Sequence, residues 1–132
     1  MRILLNPHAD ISYTVPAGEY HAECVAASQV DSTRYNAKGG PLRDGQEPQP
    51  DLAFTFRLMT ITGEYPDGVL VGGRKPFGRY QRDAQAWLRA ILDVEQLGTS
   101  RSHGLMSLDL DDCVGRESDV VIADAGYVSV VL

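Results

Sequence analysis

The chain is poor in the residues that build reactive centres. Its 132 residues include two cysteines, Cys24 and Cys113, and three histidines, His8, His21 and His103. Two cysteines far apart in sequence make no disulfide framework. In a reducing compartment they read as small core hydrophobes. The histidines have no metal-ligand spacing to one another or to either cysteine, so no zinc site is expected. The sequence contains no G-x-S-x-G, no P-loop and no H-E-x-x-H. No apolar run approaches the ~20 residues of a membrane span. The run at the start of MRILLNPHAD stops at Asn6 and is too short for the apolar core of a signal peptide. These absences predict a cytoplasmic, non-enzymatic protein with no cofactor, no metal and no membrane.

Positive charge is also scarce. Twelve Lys and Arg face eighteen Asp and Glu, for a formal charge of −6. Residues 98–132 alone hold two cations against six acids. A body of this sign repels polyanions, so any anion site has to be local. One stretch answers to that description. GGRKPFGRYQRD, residues 72–83, carries Arg74, Lys75, Arg79 and Arg82, a third of all the cations, with Phe77 and Tyr80 among them.

Length predicts one domain over residues 1–132. At 43% apolar and 23% charged, the composition is ordinary for a globular protein. Residues 1–14 form an N-terminal extension, and Ile11, Tyr13 and Val15 suggest a short edge strand. Pro16-Ala17-Gly18 is turn chemistry. From there Tyr20, Ala22, Cys24 and Ala26 alternate with His21 and Glu23, as on a strand. Residues 31–50, rich in Gly, Pro and polar residues, predict a long flexible surface loop that carries Arg34, Lys38 and Arg43. In DLAFTFRLMT the residues Leu52, Phe54, Phe56 and Leu58 share one strand face. A hairpin turn at Asp67-Gly68 and the strand GVLVGG follow. The paired Gly72-Gly73 weakens that strand and admits a close approach.

From Tyr80 the period changes to that of a helix over about residues 80–97, with Ala84, Trp87, Leu88, Ile91 and Leu92 as its apolar stripe and Gly98 as its stop. Leu108, Leu110 and Val114 suggest a helical turn, and SDVVIA and YVSVVL a hairpin closed by DAG. The acids Asp109, Asp111 and Asp112 lack the glycine and distant glutamate of a calcium loop and are expected to be solvated.

Three antiparallel strands, one helix and two further strands are the order of an OB-fold: a five-stranded antiparallel Greek-key barrel with a helix plugging one end. A small β-sandwich with one helix fits the same order. VPAGEYHAECVAA, LAFTFRLM, the basic strand end, AWLRAILDV and DLDDCVGRESDVVI together resemble a group of small phage and prophage proteins, similar to single-stranded-DNA-binding OB proteins, over about residues 15–132. The chain departs from that group in lacking an acidic C-terminal tail. The resemblance implies low-specificity binding of single-stranded DNA, with RNA as a possible alternative ligand, in phage replication or recombination.

Single-strand binders combine a cationic groove with aromatic faces. The expected contacts are Arg74, Lys75, Phe77, Arg79, Tyr80 and Arg82, then Arg57 beside Thr55 on the outer face of the best strand, Tyr35 as a clamp, and Lys38 and Arg43 in the loop. Open sheet edges predict a homo-oligomer. The competing expectation, favoured by the acidic total, is a protein-interaction or phage-assembly module.

Overall fold

The computed structural model describes residues 1–2, 15–59, 69–95, 97, 101–102, 105–106 and 108–132. The expected edge strand at Ile11 and Tyr13, the turn at Asp67-Gly68 and the stop at Gly98 lie outside the described residues. Five strands form one antiparallel sheet: β1 (Gly18–Asn36), β2 (Pro48–Leu58), β3 (Leu70–Pro76), β6 (Glu117–Ile122) and β7 (Val128–Val131), in the order β3-β2-β1-β6-β7. Between β3 and β6 come the one α-helix among the described residues, α1 (Arg82–Leu92), a small hairpin of β4 (Arg101–Ser102) and β5 (Leu105–Met106), and a 3₁₀ turn at Leu110–Cys113. The β4–β5 hairpin has no counterpart in the expectations from sequence, since two-residue strands are too short to show a period.

The core forms where the two periods meet. Leu52, Phe54, Phe56 and Leu58 of β2 are all buried, as their alternation requires. Ala84, Trp87, Leu88 and Ile91 of α1 are buried against them, and Leu92 packs at the margin. The Trp87 ring lies 5.7 Å from that of Phe54 and 6.4 Å from that of Phe56, centroid to centroid. Trp87 can come this close to the sheet because Gly73 of β3 has no side chain. A Cβ at that position would stand 2.6 Å from Trp87 Cη2 and 3.1 Å from Val128 Cβ. The glycine that weakens β3 therefore seats the largest core side chain beneath it. It also brings the two edge strands of the sheet, β3 and β7, together at one point, although no ladder joins them among the described residues.

Three boundaries differ from the sequence pattern. In β1 the register breaks between Cys24 and Ala26, where Val25 is the extra residue of a bulge. The phase flips there, so Ala26 is exposed and Ala27 packs against the core. The helix stops at Leu92 because Asp93 adopts the left-handed conformation, φ 55°, and the amide of Val94 reaches back to the carbonyl of Arg89. The strands also run deep into the segment expected to be a flexible loop, leaving only residues 37–47 as connection. That connection is built around Asn36. Its side-chain oxygen accepts from the amides of Lys38 and Gly40, and its Nδ2 donates to the carbonyl of Pro41 and to Gln46 Oε1.

Both cysteines are fully buried and unbridged. Burial raises the Cys24 thiol and pushes that of Cys113 up to about 11. Neither forms a thiolate at neutral pH, which fits small core hydrophobes. Asp109 accepts from the Asp111 amide and caps the 3₁₀ turn, while Asp111 and Asp112 are exposed in its first turn. No helix among the described residues is long and apolar enough to cross a membrane.

Candidate nucleic-acid interface

Arg74 and Lys75 are neighbours on edge strand β3, so their side chains leave opposite faces of the sheet. Arg74 pairs with Ala53 and is exposed. Lys75 pairs with buried Leu52 and lays its stem over α1, with Nζ 5.1 Å from the centre of the Trp87 ring. Such a contact holds an ammonium group in place while leaving its charge available. Neither residue forms an ion pair among the described residues.

Around these two cations the surface carries a chain of three depressions. The first, of about 490 Å³, lies over the outer face of β2 and β3, where Ala53, Thr55 and Gly72 are small enough to leave a floor. Tyr127, at the end of the β6–β7 turn, walls it. The second, of about 470 Å³, is lined by Arg34 and Tyr35 from the far end of β1 and by Gln49 and Asp51 of β2. Arg74 and Lys75 line both depressions. The third, of about 360 Å³, is formed by Pro76, Tyr80, Arg82 and Asp83, and meets the second at Pro76. Each depression carries one exposed tyrosine: Tyr127 at 54%, Tyr35 at 50% and Tyr80 at 66%. Each also holds at least one cation.

The structure thus gathers Arg74, Lys75, Tyr35, Tyr80 and Arg82 of the expected residues along one path. Arg79 stays beside it, its guanidinium 5.7 Å over the Tyr80 ring. Arg82 lies 3.5 Å from Asp83 in a widely exposed pair, which is worth little in water. Arg79 and four further expected residues line none of the three depressions. Arg57 pairs across the strands with Glu23, and its NH2 group donates to that carboxylate. Phe77 is half-buried against the core, with its amide bonded to the Pro50 carbonyl. Lys38 and Arg43 are exposed in the 37–47 connection. Tyr127, Arg34 and Asp51 were absent from the expected set. Tyr127 follows Gly126, whose positive φ closes the turn, so its exposure was implied only by turn chemistry. The continuation of β1 to Asn36 is what carries Arg34 into place.

The opposite arm of the sheet has the reverse charge. On its outer face His21 of β1 lies between two acids of β6, with Nδ1 2.8 Å from Asp119 and Nε2 3.2 Å from Glu117. These hydrogen bonds, Asp119 first, raise the imidazole pKa above its ordinary 6.5. A group whose folded pKa is raised contributes stability below its unfolded pKa and loses it as pH rises through the folded value. The melting temperature should therefore fall as pH rises from about 6.5 through the raised pKa. His21→Gln should flatten that part of the profile, as thermal melts across pH 6 to 8.5 would show.

The sequence matches no protein-family model, and no curated protein or solved structure matches it.

Proposed function

We propose that the protein binds single-stranded DNA along the three linked depressions, with little sequence preference. The observation that carries this reading is the repeat of one exposed tyrosine with a neighbouring cation in each depression. A single strand offers successive bases to stack and successive phosphates to neutralise, and that repeat matches it. On the same reading the five-stranded sheet is the wall of an OB-like barrel. Three features support this. The strand order is that of such a barrel opened between β3 and β7, the helix falls between the third and fourth strands of the sheet, and the two edges touch at Gly73 and Val128. OB barrels bind their ligand over the second and third strands, flanked by the first and last connections. Here Tyr35 stands at the end of β1, next to the first connection, and Tyr127 in the last one. A role in phage-type replication or recombination follows from the resemblance in the strand and turn segments.

Fluorescence anisotropy of a labelled oligothymidylate at low salt tests the reading. Tyr35→Ala, Tyr80→Ala and Tyr127→Ala should each weaken binding by about 1–3 kcal/mol. The salt dependence should hardly change, because stacking releases no counterions. Absence of binding to any single strand at low salt would reject the reading and favour a protein-interaction module.

A further inference from the structure

The second depression contains a group that a phosphate groove does not need. Asp51 lies on the same face of β2 as Ala53 and is only 8% exposed. Its Oδ1 accepts from Gln49 Nε2 at 2.9 Å. It forms no ion pair among the described residues, although Arg34, Arg74 and Lys75 line the same depression. Burying a carboxylate without a cationic partner costs stability. A carboxylate here also pushes phosphate away from its own position. An incoming strand should therefore be oriented, with its backbone drawn to the arginines and a base turned toward Asp51 in the depression that Tyr35 also lines. At about 470 Å³ the space is of the size that takes a small ligand.

We propose that Asp51 reads the base in this depression and selects guanine. The proposal rests on the groove being a single-strand site. An ionised carboxylate is an acceptor only. Guanine alone among the DNA bases presents two adjacent donors, N1–H and N2–H, to both oxygens at once. Adenine and cytosine set one amine beside a ring-nitrogen lone pair, and thymine sets one N–H between two carbonyls. Each of those three directs a lone pair at the carboxylate. Tyr35 supplies the stacking face and Asp51 the edge contact, so one position in the bound strand becomes base-selective while the other two depressions stay tolerant.

The test compares three labelled oligonucleotides by anisotropy: an oligothymidylate of about twelve nucleotides, within the span of such sites, the same strand with one central guanine, and the same strand with hypoxanthine there instead. Wild-type protein should bind the guanine strand roughly tenfold more tightly than oligothymidylate, the scale of one bidentate base contact. Hypoxanthine lacks the N2 amine and should lose most of that gain. Asp51→Asn keeps an oxygen acceptor for Gln49 and should bind the guanine and thymine strands alike. Equal binding of all three strands by the wild type, or a guanine gain that survives in Asp51→Asn, overturns the proposal and leaves the groove standing. No binding of any strand overturns both. If Asp51→Asn does not fold, the guanine-to-hypoxanthine comparison on the wild type decides alone.

Discussion

Replacing Trp87 with alanine should lower the stability of the domain by about 3–5 kcal/mol, the cost of removing a large aromatic from a packed core. Folded domains of this kind have only about 5–15 kcal/mol in total, so the variant should melt far below the wild type or fail to accumulate as folded protein. The size of the effect follows from what the indole touches. It is 4% exposed and stands against Phe54 and Phe56. It also fills the space that Gly73 leaves open in β3. Without it, β3 lacks both its own side chain and the one seated beneath it, so the hole cannot close by a small local shift. Trp87→Phe keeps a ring against Phe54 and Phe56 and should cost clearly less. Urea titration of both variants gives the comparison, and a Trp87→Ala midpoint equal to that of the wild type would remove Trp87 from the core.

The same side chain connects the core to the surface. Lys75 rests its ammonium over the Trp87 ring, and Lys75 lines two of the three depressions. Core packing therefore fixes the position of a cation that would otherwise sample many rotamers on a sheet edge. This link explains why a basic residue sits on the inward-facing side of β3: it lies on an edge strand, where the stem packs on the Trp87 ring while the charge reaches solvent.

How much of this was legible in the chain depends on the range of the interactions. The strand at Leu52 to Leu58, the helix stripe through Trp87 and the closing hairpin each repeat with their own period, so local pattern was enough. The bulge at Val25 shifts the phase by one residue without any composition signal, and Ala26 and Ala27 are too alike for the pattern to mark the flip. The 31–50 segment has a polar, Gly- and Pro-rich composition that suits a mobile loop. Its order comes from the pairing of β1 with β2 and, in the connection, from backbone bonds and the Asn36 side chain, bonded to groups up to ten residues away. The candidate groove was half legible. Arg74 and Lys75 stand out because cations are rare elsewhere. Tyr127 and Asp51 stand out only once β7 and the end of β1 are folded beside β3, a proximity that no local window contains. Conversely, Arg57 looked free on its strand, and the cross-strand pairing with Glu23 is what occupies it.

Binding of single-stranded DNA should weaken with salt at a log–log slope of roughly −2 to −3, if three or four phosphates are neutralised at about 0.7 per contact. Between 50 and 200 mM salt the affinity should then fall roughly fifteen- to sixtyfold. Arg74 is the most telling position, since it lines two depressions and is exposed without an ion-pair partner among the described residues. Arg74→Ala should weaken binding to unrelated sequences alike and flatten the slope by about 0.7. Lys75→Ala should flatten it similarly but also lower stability, because the lysine stem covers Trp87. Arg57→Ala is the counter-case: its guanidinium is already engaged by Glu23, so its loss should leave the slope almost unchanged. The reason a net-acidic protein concentrates its cations on β3 and the following turn is then electrostatic. With acids on the β1–β6 face and around the 3₁₀ turn, a phosphate chain should be disfavoured there, and the cations of this path should draw it to β3. Anisotropy titrations of the three variants at several salt concentrations measure these slopes, and equal slopes for Arg74→Ala and wild type would remove the arginine from the phosphate path.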